Sequence, residues 1–253
     1  MASHPDLSGR SAFITGAARG LGKSMAEKLA ACGATVAVTD LELAACEAVA
    51  ADIRAKGGRA HAYAVDVAQR DAFGTASAAF AAQCGRIDAV INNAMLLKYE
   101  PVENITDATL SRMTAIGING SMWGAQALLR HYDATRGGAI INLASPVAEK
   151  GFPNTAAYSL VKGAIVTLTK VLSAELGPRN VRVNAIAPGS VPTPGAVGLN
   201  DKAEYERRSR TIPLRRLGRE EDVADACAFL LSDAASFING EILHVDGGIA
   251  AAG

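Results

Sequence analysis

Strand-length apolar runs alternate with helical patterns along almost the whole chain, and no other feature restricts its fold as much. Ser11–Thr15 reads as a strand, followed by a glycine-rich turn and an Ala-rich helix from about Gly20 that stops at Gly33. Ala34–Asp40 is a second strand, and Glu42–Lys56 is a helix ended by Gly57-Gly58, a left-handed stop signal. His61–Val65, Asp71–Cys84 and Ile87–Asn92 continue as strand, helix and strand. Ala34–Thr39 and Ala89–Ile91 are apolar throughout rather than alternating, as in strands with helices on both faces and no wet side.

The second half continues the pattern less regularly. A helical stretch covers Asp107–Tyr132, then come strand Ala139–Leu143, helix Ala156–Leu176 and strand Arg182–Ile186. Ala187–Gly198 is rich in Pro and Gly and reads as loop. Short helices near Lys202–Ser209 and Glu221–Leu231 follow, and strand Ile242–Val245 precedes Asp246-Gly247-Gly248. The expectation is one domain over residues 1–253: an α/β, doubly wound Rossmann fold with a seven-stranded, mostly parallel sheet and helices on both faces. Ligands of such a sheet belong at the carboxyl ends of its strands. The segment Pro192–Arg210, within a region of about 192–218, reads as a lid over substrate.

Composition narrows the function classes. With 49% hydrophobic residues and 25 Lys+Arg against 25 Asp+Glu, the chain is not a disordered one and lacks the basic excess of a nucleic-acid coat. The local cluster Arg207, Arg208, Arg210, Arg215, Arg216 and Arg219 is interleaved with Glu204, Glu206, Glu220, Glu221 and Asp222, as on a solvated helical face. No run of 18 apolar residues exists to span a membrane, and Asp6, Arg10, Arg19, Lys23 and Glu27 interrupt the stretch where a signal peptide would need apolar residues, so a cytoplasmic protein is expected. The four cysteines have no Cys-x-x-Cys pair and the four histidines no metal-ligand spacing, so no metal site is expected.

The first strand ends in Thr15-Gly16-Ala17-Ala18-Arg19-Gly20-Leu21-Gly22, directly before a helix. Such a turn lets backbone N–H groups and the positive helix end approach a pyrophosphate that bulkier side chains would block. Asp40 closes the next strand, 18 residues after Gly22. An acid there accepts both hydroxyls of an adenosine ribose; capping the helix that begins at Glu42 is the competing role. Beside a 2′-phosphate, that carboxylate would be a like-charge contact costing on the order of 1 kcal/mol if solvated. NAD is therefore expected, while Arg19, which could pair with such a phosphate, is the feature that favours NADP.

Tyr158 and Lys162 are four apart on a helix and share one face, and Ser145 follows the end of the strand Ala139–Leu143. Together they suit acid/base work on an alcohol or carbonyl. A phenol ionises near pKa ~10, so lowering it by about three units takes roughly 4 kcal/mol of differential stabilisation, within reach of two cations in a dry cleft.

In order, Thr15-Gly-x-x-x-Gly-x-Gly22, Asn92-Asn93-Ala94, Ser145, Tyr158-x-x-x-Lys162, Pro188-Gly189 and Asp246-Gly247-Gly248 resemble the short-chain dehydrogenase/reductase superfamily over nearly the whole chain. The resemblance implies that Tyr158 donates and accepts the proton, Ser145 orients the substrate, and Lys162 binds the nicotinamide ribose and lowers the Tyr158 pKa. It gives Asn119, flanked by Gly117 and Gly120, a proton-relay role. The implied cofactor contacts are Gly16, Arg19, Gly20, Leu21, Gly22, Asp40 and Leu41 at the turn and ribose, and Asp66 and Val67 at the adenine. Asn92 and Ala94 serve the ribose side, with Tyr158, Lys162, Pro188, Gly189, Val191 and Thr193 toward the nicotinamide. A homotetramer is implied, joined through the helices of Asp107–Tyr132 and Ala156–Leu176 and the last strand; Leu110, Met113, Ile116, Met122, Trp123 and Leu128 offer more apolar surface than one helix stripe needs.

Two departures from that pattern bear on the substrate. Met95 stands where the family usually has Gly, and Ser145 is followed by Pro146. Met95, Val147 and Phe152, beside Ser145 and Tyr158, are therefore expected to line an apolar pocket. The reading is an NAD(H)-dependent oxidoreductase interconverting a secondary alcohol and a ketone. Its alternatives are an NADPH-dependent 3-oxoacyl thioester (acyl-carrier-protein) reductase and a non-catalytic sensor of nicotinamide redox state.

Overall fold

The computed structural model describes residues 5–195 and 202–252. Seven strands, β1 (Ser11–Thr15), β2 (Thr35–Asp40), β3 (Arg59–Ala64), β4 (Ala89–Asn92), β5 (Gly138–Leu143), β6 (Val181–Pro188) and β7 (Ile242–Val245), form one sheet in the order β3-β2-β1-β4-β5-β6-β7. Every neighbouring pair is parallel, so the sheet is parallel throughout rather than mostly so. Among the described residues eight α-helices accompany it: α1 (Gly20–Ala31), α2 (Leu43–Ala55), α3 (Arg70–Cys84), α4 (Asp107–Thr114), α5 (Gly120–His131), α6 (Ala156–Leu176), α7 (Lys202–Thr211) and α8 (Glu220–Leu231).

The uninterrupted apolar strands are explained by burial on both sides: every residue of β1 and β4 is buried. Met25, Leu29, Val49, Ile53, Cys227 and Leu230 from α1, α2 and α8 cover one face. Phe73, Phe80, Leu128 and Leu172 from α3, α5 and α6 cover the other, where the Phe13 ring lies 5.3 Å from Phe73 and 6.0 Å from Phe80. Met113 and Leu128 belong to this interior, so neither is available to an intersubunit contact.

Two segments differ from the sequence expectation. Strand β6 runs through Ala187 and Pro188, expected as loop, because they pair with His244 and Val245; proline's missing N–H is tolerated at a strand end. The helical stretch Asp107–Tyr132 is three pieces, with a π-helical turn over Ala115–Asn119 between α4 and α5. The turn and the start of α5 are both closely packed: a Cβ on Gly117 in the turn would stand 2.3 Å from Val161 Cγ1, and one on Gly124 in α5 2.1 Å from Asn92 Oδ1. Part of the expected lid, residues 196–201, lies outside the described residues. No described helix is long and apolar enough to cross a membrane.

Candidate active site

The strand order reverses between β1 and β4, and the crevice outside their carboxyl ends is where an open α/β sheet binds ligands. The turn after β1 occupies it. Gly16 and Gly20 have φ of +65° and +57°, a region L side chains seldom enter. A Cβ on Gly16 would lie 2.9 Å from Ala94 Cα, and one on Gly22 2.1 Å from the Gly16 carbonyl oxygen. The turn is clamped from β4: Thr15 Oγ1 accepts from the N–H groups of Asn93 (3.0 Å) and Ala94 (3.1 Å). Asn93 Nδ2 donates back to the carbonyls of Thr15 (2.9 Å) and Gly16 (3.0 Å). The sequence reading passed over Asn93, although it sits inside the Asn-Asn-Ala signature. The Asn92 side chain points into the core, where Nδ2 donates to Asn142 Oδ1 (2.8 Å) and the Ser121 carbonyl (3.3 Å), which leaves its backbone for the ribose side expected of it.

The residues present fit a pyrophosphate. No side chain caps the start of α1, its N-cap residue Arg19 is exposed and extended, and its first turn holds no acid. A helix end of this kind presents unsatisfied N–H groups and a positive dipole to an anion. Asp40 spans the turn and β2: Oδ1 accepts from Leu41 N–H (2.8 Å) and Oδ2 from Ala18 N–H (3.3 Å). It does not cap α2, whose N-cap residue is Glu42. Asp66 is held by both guanidinium nitrogens of Arg112 (3.0 and 3.2 Å) and accepts from Ala68 N–H (3.0 Å), while Val67 packs against Gly120. After β6, Thr193 lies over Gly20, with its Cβ 3.5 Å from where a Gly20 Cβ would be. Gly189 lies so near Asp246 that a Cβ would come within 2.7 Å of Asp246 Cα, and Val191 fills the space beside Gly218.

Ser145, Tyr158 and Lys162 meet beyond the end of β5. Ser145 is extended and its Oγ accepts from Val147 N–H at 3.5 Å, capping the short turn Pro146–Ala148. From α6, the Lys162 ammonium sits 5.5 Å from the centroid of the Tyr158 ring. Lys162 is buried and donates to the Leu143 carbonyl, not to the phenol. Burial lowers its pKa to about 8. Tyr158 is pushed above its ordinary value by burial first and then by Tyr99, while a hydrogen bond from Ser145 pulls it down. With burial foremost, the phenol holds its proton more firmly than a free tyrosine does.

Asn119 closes the π-helical turn Ala115–Asn119, which packs against α6. It is exposed at the end of the π-helical turn, while Gly117, two residues earlier, faces inward against Val161 and Met95 Sδ. Two residues along a helix turn a side chain to nearly the opposite face. Met95 packs with Met113, Ala157 and Val161 in a small apolar cluster that also touches Tyr158. Val147 and Phe152 open onto a groove of about 720 Å³ that they line with Glu103, Lys150 and Asn154, and which neither Ser145 nor Tyr158 lines. Tyr99, which the sequence reading missed, meets the Tyr158 ring edge-on at 5.7 Å. A lone aromatic in the loop after β4 carries no spacing signal that could have marked it.

A parallel doubly wound sheet, an anion-ready glycine turn at its crossover and a Ser-Tyr-Lys group beside it define a nicotinamide-dependent oxidoreductase. A family model described as enoyl-(acyl carrier protein) reductase matches residues 16–250. The chain is 36% identical over 242 residues to the D-threitol dehydrogenase of Mycolicibacterium smegmatis, covering 96% of this chain and 93% of that protein. It is also 36% identical over 253 residues to a 3-oxoacyl-[acyl-carrier-protein] reductase of Chlamydia trachomatis, covering 96% and 98%. Among solved structures, a gluconate 5-dehydrogenase from Burkholderia cenocepacia in complex with NADP and tartrate superposes with a TM-score of 0.93 at 32% identity, covering 98% of both chains. The chain belongs to the short-chain dehydrogenase/reductase family.

Proposed function

We propose that the protein is an NAD(H)-dependent oxidoreductase that interconverts a secondary alcohol and a ketone, with Ser145, Tyr158 and Lys162 as its catalytic residues. The observation that carries this reading is the meeting of these three side chains beyond β5, next to the glycine turn. The nicotinamide ring, when bound, supplies or takes the hydride. The turn Gly16–Gly22 and the start of α1 hold the pyrophosphate, and Asp40 takes the adenosine ribose hydroxyls. Thr193, lying over Gly20, reaches toward the nicotinamide side. Ser145 holds the substrate oxygen against the Tyr158 hydroxyl. Tyr158, kept neutral by burial, gives its proton to the carbonyl oxygen in reduction and regains one from the alcohol in oxidation. Lys162 supplies positive charge beneath the ring that steadies a transient phenolate. Helix α7 closes over the substrate as a lid. We place the enzyme in the cytoplasm as a homotetramer; the exposed Leu160 and Val171 on α6 and the fully exposed Phe237 before β7 support apolar contacts between subunits.

A second reading, an NADPH-dependent 3-oxoacyl thioester reductase, is favoured by the exposure of Arg19 beside the ribose site and by the relative of that name. One experiment separates them: nicotinamide absorbance across a panel of secondary alcohols, ketones and 3-oxoacyl thioesters, with NAD(H) and NADP(H), for wild type and Tyr158→Phe. The expected outcome is turnover with NAD(H) that falls by about 10³-fold or more in the variant, which loses only the proton donor. Turnover confined to NADPH and thioesters selects the second reading, and undiminished turnover in Tyr158→Phe overturns the mechanism.

A further inference from the structure

Tyr158 and Ser145 reach one another only if α6 stands at the right height beside the end of β5, and apolar packing does little to fix that height. The helix lies mainly along β6 and touches β5 far less, although Ser145 follows β5. Around Ile165 of α6 the buried apolar partners are Ala144, Ala185 and Ala187. Alanines make shallow ridges, and shallow ridges resist sliding along a helix axis poorly.

Two polar contacts supply what this packing lacks. Lys162 Nζ donates to the Leu143 carbonyl, but its charge is also needed beneath the Tyr158 ring. One residue earlier on β5, Asn142 Nδ2 donates to Thr169 Oγ1 at 2.9 Å, and that hydroxyl donates on to the Ile165 carbonyl at 2.8 Å. Asn142 Oδ1 accepts from Asn92 Nδ2 of β4 at 2.8 Å, which fixes the orientation of the amide. Asn142 and Thr169 are 1% and 0% exposed, so neither can turn to water if the other is lost. Thr169 comes about two helical turns after Lys162 and about three after Tyr158, so all three share one stripe of α6.

We propose that Asn142 and Thr169 are positioning residues: their buried hydrogen bond fixes α6 along β5 and so sets the Tyr158 hydroxyl opposite Ser145 for proton transfer. This rests on the oxidoreductase reading above. The glycine turn is held separately, by Asn93 on the carbonyls of Thr15 and Gly16, so a small slide of α6 leaves the pyrophosphate site intact. The same slide lengthens the proton path, and a misplacement of about 1 Å can cost on the order of 10²-fold in rate. The signature is a loss in kcat without a matching loss of NAD binding.

The test measures kcat and the KM for NAD in the oxidation of butan-2-ol, cyclohexanol and 1-phenylethanol. It uses wild type, Thr169→Val, Thr169→Ser, Thr169→Ala and Ser77→Ala. Thr and Val differ by one hydroxyl at equal shape, as do Ser and Ala, so if Thr169→Val fails to fold the second pair decides alone. Ser77→Ala removes another buried hydroxyl, bonded to the Gly74 carbonyl within α3, and controls for a general loss of stability read by thermal melting. Thr169→Val and Thr169→Ala are expected to lower kcat by about tenfold or more, with KM for NAD within about twofold of wild type. Thr169→Ser, which keeps the hydroxyl, is expected to stay within about threefold of the wild-type kcat, and Ser77→Ala to melt earlier with kcat unchanged. Wild-type kcat in Thr169→Val, equal losses in kcat and NAD affinity, or a fall in Thr169→Ser as deep as in Thr169→Ala overturns the inference and leaves the oxidoreductase reading intact. No turnover of any of the three alcohols by wild type overturns both.

Discussion

The two ends of the cleft are built from different materials. At the cofactor end the partners are mostly backbone: the glycine turn is locked by Thr15 and Asn93 through main-chain groups of β1 and of the segment after β4, and Asp40 touches it through two N–H groups. At the reaction end the partners are side chains from distant segments. Tyr99, Ser145, Tyr158, Lys162 and the cluster of Met95, Met113 and Val161 meet through ring edges, thioether packing and one buried ammonium. A backbone-built end binds whatever shares the invariant part of a ligand and tolerates almost no added atoms. A side chain-built end can be retuned one residue at a time, so substrate choice belongs there.

That contrast is sharpest at two glycines. A methyl on Gly22 would meet the Gly16 carbonyl oxygen at 2.1 Å, a backbone atom fixed by Asn93, whereas one on Gly117 would meet Val161 Cγ1 at 2.3 Å, a side chain that can be shortened. Gly22→Ala is expected to cost at or above the top of the ~1–3 kcal/mol range for overpacking and to weaken cofactor binding, with no second-site rescue. Gly117→Ala is expected to cost about 1–3 kcal/mol and to regain most of it in the double variant with Val161→Ala. Urea unfolding and cofactor titration of these three variants and of Val161→Ala alone measure both. Rescue at Gly22 by a side-chain truncation, or none at Gly117, would break the comparison.

The same division explains what could be read from the sequence. The sheet and the glycine turn were legible because they depend on backbone demands that impose a residue type: unbroken apolar strands, and Gly where φ is positive or a Cβ would collide. Tyr158 and Lys162 were legible because i,i+4 on a helix forces a shared face. The π-helical turn that ends at Asn119 was not legible, for a related reason. Gly117, Asn119 and Gly120 fall within the turn or so where an α-helix widens to a π turn, which shifts the facing of every later residue, and the pattern of residue types does not mark that shift. Asn92 and Asn93 are adjacent, and only their contacts separate the one serving the core from the one clamping the turn. Tyr99 comes from a loop 59 positions before Tyr158, and only the fold brings the two rings together.

The second test exploits a buried charge that has no counterpart at the cofactor end. Burial holds Lys162 down at about 8, whereas a lysine in the unfolded chain titrates near pKa ~10.4. Between those values the unfolded chain carries a proton that the folded protein has shed, so this residue makes stability rise with pH. Below pH 8 both states are protonated and the native state bears the full cost of the buried ammonium. Lys162→Met removes that dependence. The variant is expected to be the more stable by about 2–3 kcal/mol at pH 7, with the gap closing as pH rises from 8 to 10. Tyr158, pushed up, opposes this only above its unfolded value near pH ~10, which sets the upper limit of the window. Urea unfolding at pH 7, 8, 9 and 10 reads the slope. A gap that stays constant over this range would mean that the Lys162 charge is compensated within the site.

The smallest expected effect probes the cofactor end where a side chain does take part. Asp40 holds its carboxylate with two backbone N–H groups beside the turn, and it is only partly buried. Asp40→Asn keeps the shape and one oxygen, which can accept the Leu41 N–H at the cost of the weaker 3.3 Å bond from Ala18, and removes the charge that would face a 2′-phosphate. A solvated like-charge contact costs on the order of 1 kcal/mol, so the NADP-to-NAD ratio of kcat/KM is expected to rise about fivefold. Part of that rise comes from a weaker grip on the ribose of NAD. Adding Arg19→Ala separates the contributions: if Arg19 pairs with the phosphate, the double variant loses the gain in NADP use while NAD use stays at the level of Asp40→Asn. An unchanged ratio in Asp40→Asn would mean that the carboxylate serves only to tie Ala18 to Leu41. The cofactor end would then be wholly a matter of backbone, and the choice between NAD and NADP would have to be made by residues other than Asp40.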